Sequence, residues 1–159
     1  MVLKALTHTK MDPLELLKLD HMKVEALYLQ FKAASDKKRR QHLYDQIQKE
    51  LTAHASLEES TFYPACEKHE ELKEKTDEAY EEHKQMKNLL NELAELTAES
   101  SKAQTKMKVL MEDVLHHVRE EENTLFPKVR KVMSKTALER LGSQMRAKKE
   151  KKNVATKAA

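Results

Sequence analysis

The stretch "HASLEESTFYP", from His54 to Pro64, recurs in altered form as "HVREEENTLFP", from His117 to Pro127. Each copy opens on a histidine, carries glutamates at the fourth and fifth positions after it, and closes on an aromatic residue followed by proline. Residues four apart on an α-helix differ in direction by about 40°. His54 therefore points the same way as Glu58, and His117 the same way as Glu121, one turn along.

Working outward, both pairs continue apolar stripes. Leu43, Ile47 and Leu51 precede His54, and Met107, Leu110 and Val114 precede His117. Two further stripes carry one histidine each: Leu14, Leu17, His21, Val24, Tyr28 and Phe31, then Ala79, His83, Met86, Leu90, Leu93 and Thr97. Steps of three and four are the signature of an amphipathic helix with one buried face. Four such helices joined by short connections predict an all-α, up-and-down antiparallel four-helix bundle. Asp12-Pro13 reads as the first helix start, an N-cap followed by proline at the first helical position. The segments "AASDKKRR", "CEKHEELKEK" and "AESSK" read as connections. Pro64 is expected to kink or end its helix, because proline cannot donate to the preceding turn. A shorter fifth helix is expected near Ser134 or Thr136, where Thr136 and Glu139 have capping-box spacing. Residues 1–11 then form an N-terminal extension, 12–134 the bundle, and 135–159 a short helix with a basic tail disordered after about Lys148.

Composition agrees with this. One glycine and three prolines among 159 residues leave little material for β-turns, and the chain is long enough for one domain with a core. The net charge of +3 is concentrated in "MRAKKEKKNVATKAA", so no nucleic-acid partner with a folded basic face is expected. A single cysteine, Cys66, fits a reducing interior. The N-terminus lacks a signal-peptide apolar run and no segment reaches membrane-span length, so a cytoplasmic protein, monomer or weak dimer, is expected.

The chain thus aims four imidazoles and two carboxylates into the middle of one bundle. His21 to His54 is 33 residues and His83 to His117 is 34, so each half is a hairpin with one lone histidine and one His-x-x-x-Glu. Burying an unpartnered carboxylate costs several kcal/mol, and a cation among these groups removes that penalty. Imidazole and carboxylate suit borderline divalent metals. Two bridging glutamates with two histidines per metal describe a dinuclear site, with iron preferred. A single tetrahedral zinc would leave ligands over. His8, His42, His69 and His116 lie on polar segments or faces and receive no role. The methionines read as core filler, Cys66 as inert, and Phe62, Tyr63 and Phe126 as packing at the bundle end.

At "LDHMKVEALY", "HASLEESTFYP", "EEHKQMKNLL" and "HHVREEENTLFP" the sequence resembles the hemerythrin-like, or HHE cation-binding, family, over roughly Asp12 to Val132. The resemblance implies a non-haem di-iron centre with His21, His54, His83 and His117 as nitrogen ligands and Glu58 and Glu121 as bridging carboxylates. It implies two iron ions, with an oxo or hydroxo bridge. Oxygen-carrying hemerythrins place a further histidine one turn after the one on the third helix, where this chain has Lys87. Each iron then keeps an open position for water or substrate, unless Glu25, Tyr80 or Tyr28 fills it. Glu59 and Glu122 either hydrogen-bond a ligand imidazole or face solvent.

Open positions suit binding of, or reaction with, O₂, peroxide or NO, and leave open whether peroxide or NO is consumed. An iron-handling or redox-sensing protein is the alternative, since metal binding couples to folding. A metal-free helical adaptor is the third reading, disfavoured by the buried carboxylates.

Overall fold

The computed structural model describes residues 12–158; the expected extension at 1–11 lies outside the described residues. Helices α1 (Pro13–Ala33), α2 (Lys37–Leu57), α4 (Glu70–Ala94) and α5 (Ser101–Glu120) form the up-and-down bundle. Short helices α3 (Tyr63–Cys66) and α6 (Phe126–Val132) prolong α2 and α5, and α7 (Lys135–Ala158) follows. Among the described residues there is no strand.

The caps explain the boundaries. Asp12 accepts from the Leu14 N–H and Pro13 opens α1. Asp36 accepts from the Arg39 N–H, so "KKRR" belongs to α2 and the expected loop shrinks to three residues, 34–36. Most of "CEKHEELKEK" likewise belongs to α4, leaving 67–69 as the connection. Ser100 caps α5 through the Ala103 N–H. Thr97 lies exposed beyond the end of α4, outside the stripe it was expected to extend.

Pro64 and Pro127 do not end their helices. Each follows a five-residue π-helical turn, Glu58–Phe62 and Glu121–Leu125, after which the α-helix resumes. Tyr63 N–H bonds the Glu58 carbonyl and Phe126 N–H that of Glu121, five residues back in each case. A proline one residue later has no N–H for the i→i−4 ladder, and a π turn inserts one residue without breaking the rod. The Ser60 and Thr61 hydroxyls donate to the Ser56 and Leu57 carbonyls in the widened turn.

The core divides into two apolar blocks. Val24, Phe31, Tyr44, Ile47, Leu51, Met86, Leu90, Leu110 and Val114 belong to one. Leu14, Leu17, Phe62, Tyr63, Leu72, Leu125, Phe126 and Val129 belong to the other, with Leu141 and Met145 of α7. The four stripe histidines and two glutamates are buried polar residues in the same helices.

The C-terminal helix begins within the expected range but runs much further than expected. Ser134 caps it through the Ala137 N–H, rather than Thr136. It spans 24 residues to Ala158, well past the point where disorder was expected. Its burial of Leu141 and Met145 supplies the tertiary packing that helicity in a lysine-rich segment lacks.

Candidate metal centre

All six predicted residues meet in one cluster. Glu58 is fully buried, His83, His117 and Glu121 are 1–2% exposed, and His21 and His54 are 7% and 8% exposed. The histidines pair within each hairpin: His21 Nε2 lies 3.1 Å from His54 Nε2, and His83 Nε2 lies 3.1 Å from His117 Nε2. The two glutamates span both pairs. Glu58 Oε1 is 3.1 Å from His54 Nε2 and its Oε2 is 3.2 Å from His83 Nε2. Glu121 Oε2 is 3.3 Å from His21 Nε2 and its Oε1 is 3.6 Å from His117 Nε2. Two ligand-like groups result: His21, His54, Glu58 and Glu121, and Glu58, His83 and His117.

Outside this cluster runs a closed ring of four carboxylates. Asp20 of α1 meets Nδ1 of His54 on α2 at 3.3 Å. Glu59, beside the α2 end, meets Nδ1 of His83 on α4 at 3.0 Å. Glu82 of α4 meets Nδ1 of His117 on α5 at 2.6 Å, and Glu122, beside the α5 end, meets Nδ1 of His21 at 2.7 Å. Each of these helices thus steadies an imidazole of the next. A carboxylate at Nδ1 holds the proton there and leaves the Nε2 lone pair facing inward, the tautomer a metal requires. Of the two alternatives for Glu59 and Glu122, hydrogen bonding to a histidine is the one found. The same role for Asp20 and Glu82 was not foreseen, although each directly precedes a stripe histidine.

Tyr63 enters the cluster unannounced. Its hydroxyl lies 2.8 Å from Glu121 Oε1, 3.2 Å from Glu58 Oε2, 3.1 Å from His83 Nε2 and 3.4 Å from His117 Nε2. Five residues of regular α-helix would turn Tyr63 about 140° away from Glu58. The π turn restores the alignment. The available signal was the mismatch between the repeats, tyrosine in the first where phenylalanine stands in the second. Phe126 instead stacks on His21, with ring centres 6.2 Å apart and planes 11° from parallel.

The three residues proposed to fill the open positions do not. Glu25 is exposed. Tyr28 packs on Phe31 with ring centres 6.4 Å apart. Tyr80 packs edge-on against Tyr63 at 5.0 Å, behind the hydroxyl that reaches the cluster. Lys87, where oxygen-carrying relatives would have histidine, is ion-paired with Glu59. His116 is largely exposed, with Nε2 3.7 Å from Glu82 Oε1. Cys66 is buried, and burial with the Glu121 and Glu58 charges pushes its thiol pKa far up, consistent with inertness.

The electrostatics ask for a cation. Burial opposes a charged imidazole at His54, yet Glu58, Asp20 and Glu121 push its pKa up to about 10. Burial likewise opposes ionisation of Glu58, and the His54 and His83 imidazoles outweigh it, holding the carboxyl well below its ordinary range. Burial first, then the Glu121 and Glu58 charges, push Tyr63 well above its ordinary value. In the polypeptide alone, raised proton affinity at His54 and His117 sets off the buried carboxylate charge. Even so, Glu58 Oε1 and Glu121 Oε2 have only the His54 and His21 Nε2 atoms beside them, at 3.1 and 3.3 Å, and Tyr63 has one proton for four neighbours. Inward-facing Nε2 atoms, two buried carboxylates and a Nδ1-anchored shell fit divalent metal, which would replace the protons.

The known proteins agree with this reading. The description "Hemerythrin HHE cation binding domain" matches residues 12–129. A protein of Nostoc sp. named DNA nickase is 31% identical over 137 residues, covering 86% of this chain and 39% of that protein. An uncharacterized hemerythrin-like protein of Schizosaccharomyces pombe is 32% identical over 117 residues, covering 72% of this chain and 58% of that one. The chain therefore spans less than two thirds of either relative's length. A solved HHE cation-binding domain protein of Mycobacterium kansasii, an Rv2633c homolog, shares the fold at a TM-score of 0.76 and 24% identity, over 89% of this chain and 86% of that one. The chain belongs to the hemerythrin HHE cation-binding domain family.

Proposed function

We propose that this chain is a non-haem di-iron protein that binds or reacts with a small oxidant: O₂, peroxide or NO. The observation that carries the reading is the convergence of four buried imidazole Nε2 atoms on two buried carboxylates, Glu58 and Glu121, each of which reaches both histidine pairs. His21 and His54 would hold one ion, His83, His117 and the Tyr63 oxygen the other, and Glu58 and Glu121 both. Bound iron supplies Lewis acidity and electrons for an oxidant. A donor set of imidazole, carboxylate and phenol without thiolate favours iron over structural zinc.

The protein's own groups set the rest. The outer carboxylates hold the Nδ1 protons, fixing four ring orientations. Tyr63 takes up the inner space beside His83 and His117, so the His21 and His54 position is the one that meets a ligand. A cavity of about 30 Å³ adjoins the four histidines, lined by Val24, Leu51, Met86, Leu90 and Val114 among others. That volume admits a molecule of diatomic or water size and little more.

Metal analysis and absorption of the purified protein after anaerobic Fe²⁺ reconstitution test the reading. About two irons per chain are expected, with loss in His54→Ala. No retained iron in the wild type would end it; peroxide and NO consumption assays then separate turnover from binding.

A second reading, contact with DNA, draws on the Nostoc relative's name and on Lys151, Lys152 and Lys157, which α7 presents at the surface. Binding of duplex DNA that weakens steeply with salt would support it. Absence of binding at low salt would remove it.

A further inference from the structure

The helix beyond the family match reaches into the metal site. The matched region ends at residue 129 and α7 begins at Lys135. Lys149 of α7 forms an ion pair with Asp20 Oδ1, and the other oxygen of that carboxylate, Oδ2, meets His54 Nδ1 at 3.3 Å. Asp20 is 13% exposed in its side chain and Lys149 36%, so the contact sits at the edge of the interior. A groove of about 970 Å³ borders it, lined by Lys148, Lys149 and Lys152 of α7, Asp20 of α1, and His54 itself.

We propose that Lys149 is a positioning residue for the metal centre: α7 acts as a strap whose lysine fixes Asp20, which in turn orients His54. The inference rests on the metal reading above. The physical reason is geometric. Asp20 can rotate its carboxylate toward the groove and water unless its outer oxygen is held. Held by Lys149, its inner oxygen stays on Nδ1, and His54 Nε2 stays aimed at Glu58 Oε1, 3.1 Å away. The other hairpin repeats the device from a different element. Lys87 pairs with Glu59 Oε2, and Glu59 Oε1 meets His83 Nδ1 at 3.0 Å. One histidine of each pair is thus steadied by a carboxylate that a lysine holds, and on the His54 side the lysine comes from outside the bundle. Burial of Leu141 and Met145 fixes α7 against the same apolar block as Tyr63 and Phe126, so the strap is seated by packing and not by the ion pair alone.

The test uses the full chain with Lys149→Met, which keeps the aliphatic stem, Lys149→Arg, which keeps the charge, and Lys151→Ala as a surface-charge control. In the metal-free protein, ¹⁵N-edited NMR follows the hydrogen-bonded Nδ1–H of His54. Anaerobic Fe²⁺ titration follows the loaded form. Lys149→Met should shift or broaden the His54 Nδ1–H signal, leave that of His117 in place, and weaken binding of one of two irons about tenfold. Lys149→Arg should restore most of both, and Lys151→Ala should change neither. An unmoved His54 signal in Lys149→Met, or equal weakening by Lys151→Ala, overturns the proposal. If the wild type takes up no iron, the di-iron reading fails, while the NMR comparison still decides the Lys149–Asp20–His54 link.

Discussion

Tyr63 and Phe126 occupy equivalent places in the two halves of the chain, one residue past a π turn, yet they treat the centre differently. The Tyr63 hydroxyl sits 2.8 Å from Glu121 Oε1 and 3.1 Å from His83 Nε2, whereas Phe126 stacks on His21. The nearly two-fold arrangement of histidines and glutamates is therefore broken by a single oxygen atom, and the two proposed metal positions differ.

Replacing that oxygen should separate them. Tyr63→Phe should fold normally and still take up iron, with the second ion bound about tenfold more weakly. A phenolate-to-iron absorption band in the oxidised wild type should vanish in the variant. If both proteins show the same spectrum and the same two affinities, Tyr63 is a packing residue only.

The π turn brings Tyr63 to the site because it absorbs the fifth residue after Glu58. Deleting Thr61 should let a regular α-helix run through the segment, with Tyr63 then four residues after Glu58 and still within about 40° of its direction. The deletion variant should therefore keep the Tyr63 spectroscopic signature, whereas inserting an alanine after Thr61 should turn Tyr63 away and abolish it. Loss of the signature on deletion, or its retention on insertion, would show that the oxygen is placed by something other than this register.

The spanning carboxylates carry the greatest burden. Glu58→Gln keeps the volume and removes the charge shared by both positions. Iron per chain should fall from about two to one or fewer, in metal analysis after desalting, and Glu121→Gln should behave alike. A variant that still holds two irons would show that these oxygens are not shared ligands.

The pH response of the metal-free protein follows from His54, whose pKa is pushed up to about 10 from an unfolded value near 6.5. A group with a raised folded-state pKa binds its proton more tightly when folded. Its stabilisation is complete below about pH 6.5 and is lost as pH rises toward 10. The melting temperature of metal-free protein should therefore fall across this window, and much less in His54→Leu. Iron must displace that proton, so iron affinity should rise with pH over the same range. A flat melting profile in wild-type apoprotein would contradict the charge balance described here.

The ring of outer carboxylates predicts a graded series. Asp20→Asn, Glu59→Gln, Glu82→Gln and Glu122→Gln should each weaken metal binding by roughly 10–100-fold, each through its own histidine. Fe²⁺ titration of the four single variants checks this; full affinity in all four would show that the Nδ1 contacts are dispensable.

The sequence by itself determined the bundle and which polar side chains meet in its interior. Stripes of threes and fours name the buried face of each helix, and a histidine or glutamate within a stripe must be buried with it. That logic reached His21, His54, Glu58, His83, His117 and Glu121 because they repeat at α-helical spacing. It failed where spacing stops being α-helical or where contact crosses between elements. Tyr63 lies off the face until a π turn inserts a residue. Asp20 and Glu82 point beside the stripe and find their histidines only on the next helix. Lys149 meets Asp20 across 129 residues of chain, and α7 stays helical because Leu141 and Met145 pack into a core that a local reading of "RAKKEKKN" does not see. Local periodicity fixes direction around one helix axis. Which groups then share a hydrogen bond depends on how the helices are placed against each other, and only the tertiary structure decides that.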